Sequence, residues 1–294
     1  MNPRNAGLVA VALAIALWVW LSASVHEPAA PEHAGAPLAS RVVSLDPGIT
    51  ETIIALAATD RLVARPDHSE HWPEVAALPS VGTGLTPNYE GIVRAHPDLI
   101  LTSGSRGAVL SDLQSIAPTR ALPWLTVADV AAGIRVIGEL LGRKAPGELL
   151  AMQIQDGLRD RVSADSPSVL LLIGGPSEAN PDLFYIKADS LHGAALAAGG
   201  GRNAIQQKVR GMPSISIERL LDIDPDVILI MLADDEASEG DLARHRRFWS
   251  RLDMLSAVQN ERVDFLIGTH LFFIGPGILE LAEAVRSKVE AIGG

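Results

Sequence analysis

The chain contains no cysteine. That absence excludes structural disulfides, thiolate metal sites, a cysteine nucleophile and lipid attachment through an N-terminal cysteine. A basic stripe is missing as well. The net charge is −11, and the densest basic cluster is Arg244, Arg246 and Arg247, so nothing offers a track for a phosphate backbone and nucleic acid is excluded as a partner. Catalytic signatures are also lacking. Ile173-Gly174-Gly175-Pro176 follows a strand pattern, yet neither G-x-G-x-x-G nor a Walker pattern comes after it. In Ser103-Gly104-Ser105-Arg106-Gly107 the glycines do not stand two residues either side of the serine, as a nucleophile elbow requires. No spacing of Ser, His and Asp marks a triad. The chain reads as a binding protein, not an enzyme.

What is present begins with an apolar start. Gly7–Val25 carries no charge and follows Arg4; at about 1.5 Å per residue it is just long enough for a bilayer core of roughly 30 Å. Small residues Ser22, Ala23 and Ser24 fit a cleaved signal peptide, whereas the length and Trp18 and Trp20 fit an N-terminal anchor. Both readings deliver the remainder to the outer face of the cytoplasmic membrane, and the only membrane contact expected is through residues 7–25. Residues 26–40, rich in Ala and Pro, read as a tether.

From Arg41 onward the fold class is α/β. Strands are expected at Val42–Leu45, Leu62–Ala64, Leu99–Thr102, Val169–Ile173, Val227–Met231 and Val263–Ile267. Helices are expected at Thr50–Ala58, Ala108–Ile116, Leu191–Ala198, Arg247–Leu255 and Gly277–Ile292. Val127–Val162 has almost no strand signal and reads as one or two long helices, broken or bent around Gly142 and Pro146-Gly147. The expected division is an N-terminal lobe over 41–126, a connecting helix over 127–163 and a C-terminal lobe over 164–294. An internal echo supports two lobes. Glu90 opens a short helix and Pro97-Asp98 leads into Leu99-Ile100-Leu101; Glu218 opens another and Pro225-Asp226 leads into Val227-Ile228-Leu229.

Several segments carry a family likeness. Arg41-Val42-Val43-Ser44-Leu45-Asp46-Pro47 with Thr50-Glu51 resembles the first strand and helix of periplasmic binding proteins for cobalamin, haem and ferric siderophores. Trp72-Pro73, Leu78-Pro79-Ser80-Val81-Gly82, Gly199-Gly200-Gly201-Arg202-Asn203, Pro213, Ser216 and Gly275-Pro276 continue the likeness in order. The resemblance implies two Rossmann-like lobes joined by a long rigid α-helix, with a ligand cleft between them and little lobe movement on binding. It further implies docking onto an ABC permease and its ATPase through one exposed carboxylate per lobe, here Glu90 and Glu218.

In α/β lobes, ligands meet the loops at the carboxyl ends of strands. The expected ligand-binding residues are Asp46, Pro47, His68, Trp72, Ser105, Arg106, His270 and Phe272, the aromatic faces suiting a flat macrocycle and Arg106 an anionic periphery. Trp124 and Trp249 are assigned to lobe cores. No cofactor of the protein's own is expected; the ligand is itself a metal chelate. Haem wants an axial His or Tyr, and Thr83 stands where haem-binding relatives often carry tyrosine, although His68, His71 or His270 could ligate. Cobalamin therefore ranks first, a ferric siderophore second and haem third. The alternatives are a zinc or manganese ion, for which His68 and His71 are the candidates, and a tethered receptor not coupled to transport.

Overall fold

A computed structural model of the chain describes residues 38–175, 182–209, 211 and 213–293. The apolar stretch 7–25, most of the tether and part of the Gly174–Ser177 loop lie outside them. No helix among the described residues is long and apolar enough to cross a membrane.

The first sheet is wholly parallel. It contains β1 (Val42–Ser44), β2 (Leu62–Ala64), β3 (Leu99–Thr102) and β4 (Thr119–Ala121) in the order β2-β1-β3-β4. Helix α1 (Pro47–Ala55) follows β1, α2 (Tyr89–Ala95) precedes β3, and α3 (Gly107–Ile116) precedes β4. The central strands are buried along their whole length, as parallel strands covered on both faces must be.

The second sheet runs β10-β9-β5-β6-β8, with β7 also paired to β5. Its parallel core is β5 (Ser168–Ile173), β7 (Arg202–Asn203), β9 (Val227–Leu232) and β10 (Val263–Ile267); β6 (Leu183–Tyr185) and β8 (Ser214–Ile215) pair antiparallel. Around it lie α6 (Leu191–Ala198), α7 (Ile217–Ile223), α8 (Glu239–Trp249), α9 (Ser256–Gln259) and α10 (Ile278–Gly293). All six sequence-predicted strands form. The helix expected at Arg247–Leu255 instead ends at Trp249 and begins at Glu239. Ser238 caps it by accepting from the Asp241 N–H at 3.2 Å, and its acidic first turn, with Glu239 and Asp241, is favoured at a helix N-terminus.

Between the sheets, residues 127–163 form two helices of 14 residues, α4 (Val127–Leu140) and α5 (Lys144–Gly157). The break falls at Leu141–Arg143, where Gly142 adopts φ +69°, a conformation that favours glycine. The connecting helix expected over 127–163 is thus two helices separated at Gly142, of which α5 is about 21 Å long. The two helices meet closely at Gly138 and Gly147, where a Cβ on either would sit 3.1–3.2 Å from the other's Cα. At its far end Gly157 abuts Leu279 of α10. Alternation along the strands divides the core. Val42, Val169, Leu171, Val227 and Leu229 join Ile49, Ile53, Ile134, Ile154 and Leu281 in one cluster running from lobe to lobe. Val43 and Ile100 point to the outer core of the first lobe, and Leu170, Leu172, Ile228 and Ile230 to that of the second. Trp124 and Trp249 are buried, at 5% and 2% exposure, as expected.

Candidate functional site

The strand termini of both lobes bring aromatic side chains together. His71 and Trp72 come from the loop after β2, Phe273 from the segment after β10. The rings of His71 and Trp72 lie 3.9 Å apart, Phe273 stacks on His71 at 5.5 Å with an interplanar angle of 13°, and Trp72 meets Phe273 at 5.9 Å. Burial holds the His71 imidazole below its ordinary pKa despite the Glu70 carboxylate, so the ring is neutral at pH 7. Its Nε2 is buried without a hydrogen-bond partner. On the second lobe His270 Nε2 lies 2.9 Å from the Glu280 carboxylate. Asp234 accepts from Thr269 N–H and Oγ1 at 3.0 and 2.8 Å, which fixes the two loops to each other and holds the Asp234 carboxyl below its usual range.

Not every sequence-predicted residue faces this cluster. Asp46 is the N-cap of α1, accepting from Gly48 and Ile49 N–H at 2.8 and 3.2 Å, while its other oxygen accepts from the Ser103 hydroxyl. Pro47 occupies the first helical position behind it, where its missing N–H costs nothing. Ser105 is buried, donates to the Gly84 carbonyl at 2.7 Å and lies 2.7 Å from Thr102 Oγ1. These three residues shape the first-lobe loops from beneath. Arg106 is exposed at the start of α3 with no ion pair among the described residues. Phe272, at the end of a short helical turn, packs against the shared core, and the next residue, Phe273, makes the aromatic contact. His68 is exposed in a left-handed turn (φ +63°), so it does not share a helical face with His71. No group of three or more His, Asp or Glu able to hold a metal occurs among the described residues.

Glu90 and Glu218 occupy matching places. Each is the second residue of a seven-residue helix, behind an Asn88 or Ser216 cap, and each is exposed. Both helices close on a left-handed residue, His96 or Asp224.

The sequence reading missed a further group, Glu51, whose role depends on a contact 226 residues away. Its Oε1 accepts from the Gly277 N–H at 2.7 Å across the lobes. Its Oε2 is buried without a partner, and burial pushes the carboxyl up to about 7, against the hydrogen bond from Gly277 and reinforced by Glu280. The seam is tight. A Cβ on Gly275 or Gly277 would stand 2.0 or 2.5 Å from the Glu51 carboxylate, and one on Gly48 1.9 Å from the Ile274 carbonyl oxygen. Trp124 Nε1 donates to that same carbonyl at 2.5 Å. The signal in the sequence was the pair of glycines flanking Pro276.

Two parallel lobes with their strand termini facing each other across a seam define a bilobal solute-binding protein. The family profile described as periplasmic binding protein matches residues 42–267, and the chain belongs to that family. It is 28% identical over 261 residues to the putative ABC transporter substrate-binding lipoprotein YhfQ of Bacillus subtilis, covering 79% of this chain and 76% of that one. The crystal structure of the vitamin B12-binding protein BtuF of Vibrio cholerae superposes with a TM-score of 0.71 at 25% identity, covering 87% of this chain and 99% of the other. A periplasmic haem-binding protein of Pseudomonas aeruginosa does so with a TM-score of 0.70 at 24% identity, covering 86% and 93%. The chain is therefore a substrate-binding protein of the ABC-transporter kind, and not an enzyme.

Proposed function

We propose that the chain binds a bulky metal chelate between its lobes, with cobalamin the first candidate, a ferric siderophore the second and haem the third. The observation that carries this reading is the His71–Trp72–Phe273 cluster, assembled from both lobes at the ends of their strands. A corrin or porphyrin presents a flat face that such rings cover, and cobalamin supplies its own axial ligands, so it needs shape and aromatic contact more than a new donor. Delivery runs through Glu90 and Glu218, exposed carboxylates at helix starts that can pair with arginines on a two-fold permease. Residues 7–25, uncharged and long enough for a bilayer core, hold or direct the chain to the outer face of the cytoplasmic membrane.

Titration with cyanocobalamin, ferric citrate and haemin, followed by absorbance and Trp fluorescence, tests the reading. Saturable binding of one chelate is expected, weakened by about tenfold or more in Trp72→Ala, the loss of one aromatic anchor. Binding of none of them, with tight zinc binding instead, would overturn it.

A further inference from the structure

The geometry points to a second binding site, for a small phosphate-type oxyanion, on the C-terminal lobe at the end of its sheet opposite the interlobe cleft. A concave site of about 670 Å³ opens there, lined by Arg161, Arg202, Arg262 and Arg286 together with Asp165, Asp226 and Glu290. The arginines arrive from four different segments: the chain after α5, the start of β7, the residue before β10, and α10.

The first lobe provides the comparison that gives these arginines meaning. At the same end of its sheet, Arg41 donates to the carbonyls of His96 and Ala95 at 2.8 and 2.6 Å, Arg61 to Ala39 at 2.9 Å and Arg143 to Ala57 at 2.9 Å. Those guanidinium groups tie down chain ends and carbonyls, although the Nε of Arg143 stays buried without a partner. In the second lobe the side chains of Arg161, Arg202 and Arg262 make no hydrogen bond or ion pair among the described residues. Arg286 reaches Glu283 at 2.5 Å through one terminal nitrogen, but its Nε is buried without a partner. A chain carrying −11 thus leaves three arginines unspent around one concavity, and a fourth with an unsatisfied buried donor.

Asp226 is already engaged with the Ser168 N–H at 2.8 Å. Asp165 and Glu290 remain, and they favour a small ligand over a long polyanion such as nucleic acid. Planar guanidinium forks approaching from several sides match the oxygens of a tetrahedral anion. Two sources supply that chemistry: free phosphate or an anionic phospholipid headgroup.

The test uses the full chain in a neutral detergent. It is titrated calorimetrically at constant ionic strength with inorganic phosphate and, separately, with dihexanoyl phosphatidylglycerol, with dihexanoyl phosphatidylcholine as the uncharged control. Saturable binding by one anionic probe and not the other identifies the source, and R202Q/R262Q is expected to weaken it at least tenfold. Chelate affinity in the cleft and the melting temperature should stay unchanged, which separates this site from the cleft and from a folding defect. Charge reversal in Arg262→Glu should abolish binding. Failure of both anions to saturate at about 1 mM, a standard free energy near −4 kcal/mol, would overturn the site. Equal binding by the wild type and R202Q/R262Q would do the same.

Discussion

The two lobes repeat one corner and diverge beyond it. In the first, the Asp98 carboxylate that ends the Pro-Asp turn accepts from Ser40 N–H and Oγ at 2.9 and 2.7 Å and from Arg41 N–H at 3.0 Å, just ahead of β1. In the second, Asp226 accepts from the Ser168 N–H at 2.8 Å, where β5 begins. Each aspartate lies 58 residues beyond its serine. Sheet order repeats too, since β2-β1-β3-β4 corresponds to β7-β5-β9-β10. What differs is decoration: the second lobe adds the antiparallel β6 and β8, and three of the four arginines at its far pole, Arg161, Arg202 and Arg262, have no side-chain partner among the described residues. A fold plan held by caps and strand starts leaves the loops and the far pole free to be spent on ligands.

The seam joining the lobes carries the largest expected effect. Glu51 has a folded-state pKa of about 7 against an ordinary 4.5. Between these values the folded chain keeps a proton that the unfolded chain has released. This contribution to stability is fully present below about pH 4.5, declines as pH rises through 7 and is then gone. The span corresponds to about 3 kcal/mol. Glu51→Gln keeps an acceptor for Gly277 without a charge to desolvate, so the variant should melt higher than the wild type at pH 8 and about equally at pH 5. Melting curves across that range check this; a parallel pH profile in both proteins would mean that the seam does not hold a titrating carboxyl.

Next in size is the repeated corner itself. Hydrogen bonds to a charged acceptor are each worth about 1.5–3 kcal/mol when buried and less at the surface. Asp98, with three bonds at an exposed site, should cost about 2 kcal/mol on substitution by Ala, and Asp226, with one, about 1 kcal/mol. Burial raises the Asp98 pKa, but the bonds from Ser40 and Arg41 outweigh it and hold the carboxyl below its usual range. Its contribution is therefore present at neutral pH and lost as the pH falls through that lowered value. Denaturant midpoints of the two variants rank the corners; a larger loss for Asp226→Ala would reverse the comparison.

Much of this plan was legible in the sequence because its signals are local. All-apolar runs such as Val227–Leu232, the Pro-Asp turns and the helix-start glutamates fix their neighbours within a few residues. β6, β7 and β8 are two or three residues long, too short to show a period. The site was harder to read. The hydrogen bonds of Asp46 to Gly48 and Ile49 and of Ser105 to Gly84 give these two expected ligand groups a part in the lobe's own loops that the sequence alone does not reveal. The choice between Phe272 and Phe273 depends on a single helical turn at Thr269–Phe272. Glu51 needed a partner 226 residues away, which no local pattern supplies.

The smallest effect concerns the two proposed docking carboxylates, where the lobes differ by one ion pair. Glu90 is bound by Arg94 one turn along its helix at 2.5 Å, with both side chains largely exposed. Among the described residues Glu218 has no such partner; it accepts from the Ser216 hydroxyl at 3.0 Å, and the neighbouring Arg219 turns to Asp222 instead. An exposed pair of this kind contributes about 0.3–0.5 kcal/mol, so Arg94→Gln should leave the melting temperature within about 2 °C. Removing Arg94 also frees the Glu90 carboxylate for a permease arginine, so stimulation of the transporter ATPase should rise about twofold at low salt and converge with the wild type at high salt, where the pair is already screened. The same substitution at Arg219 should change nothing, because Glu218 is not its partner. Equal responses from the two lobes would show that Arg94 does not mask Glu90, and a drop in stimulation would instead make Arg94 itself a docking contact.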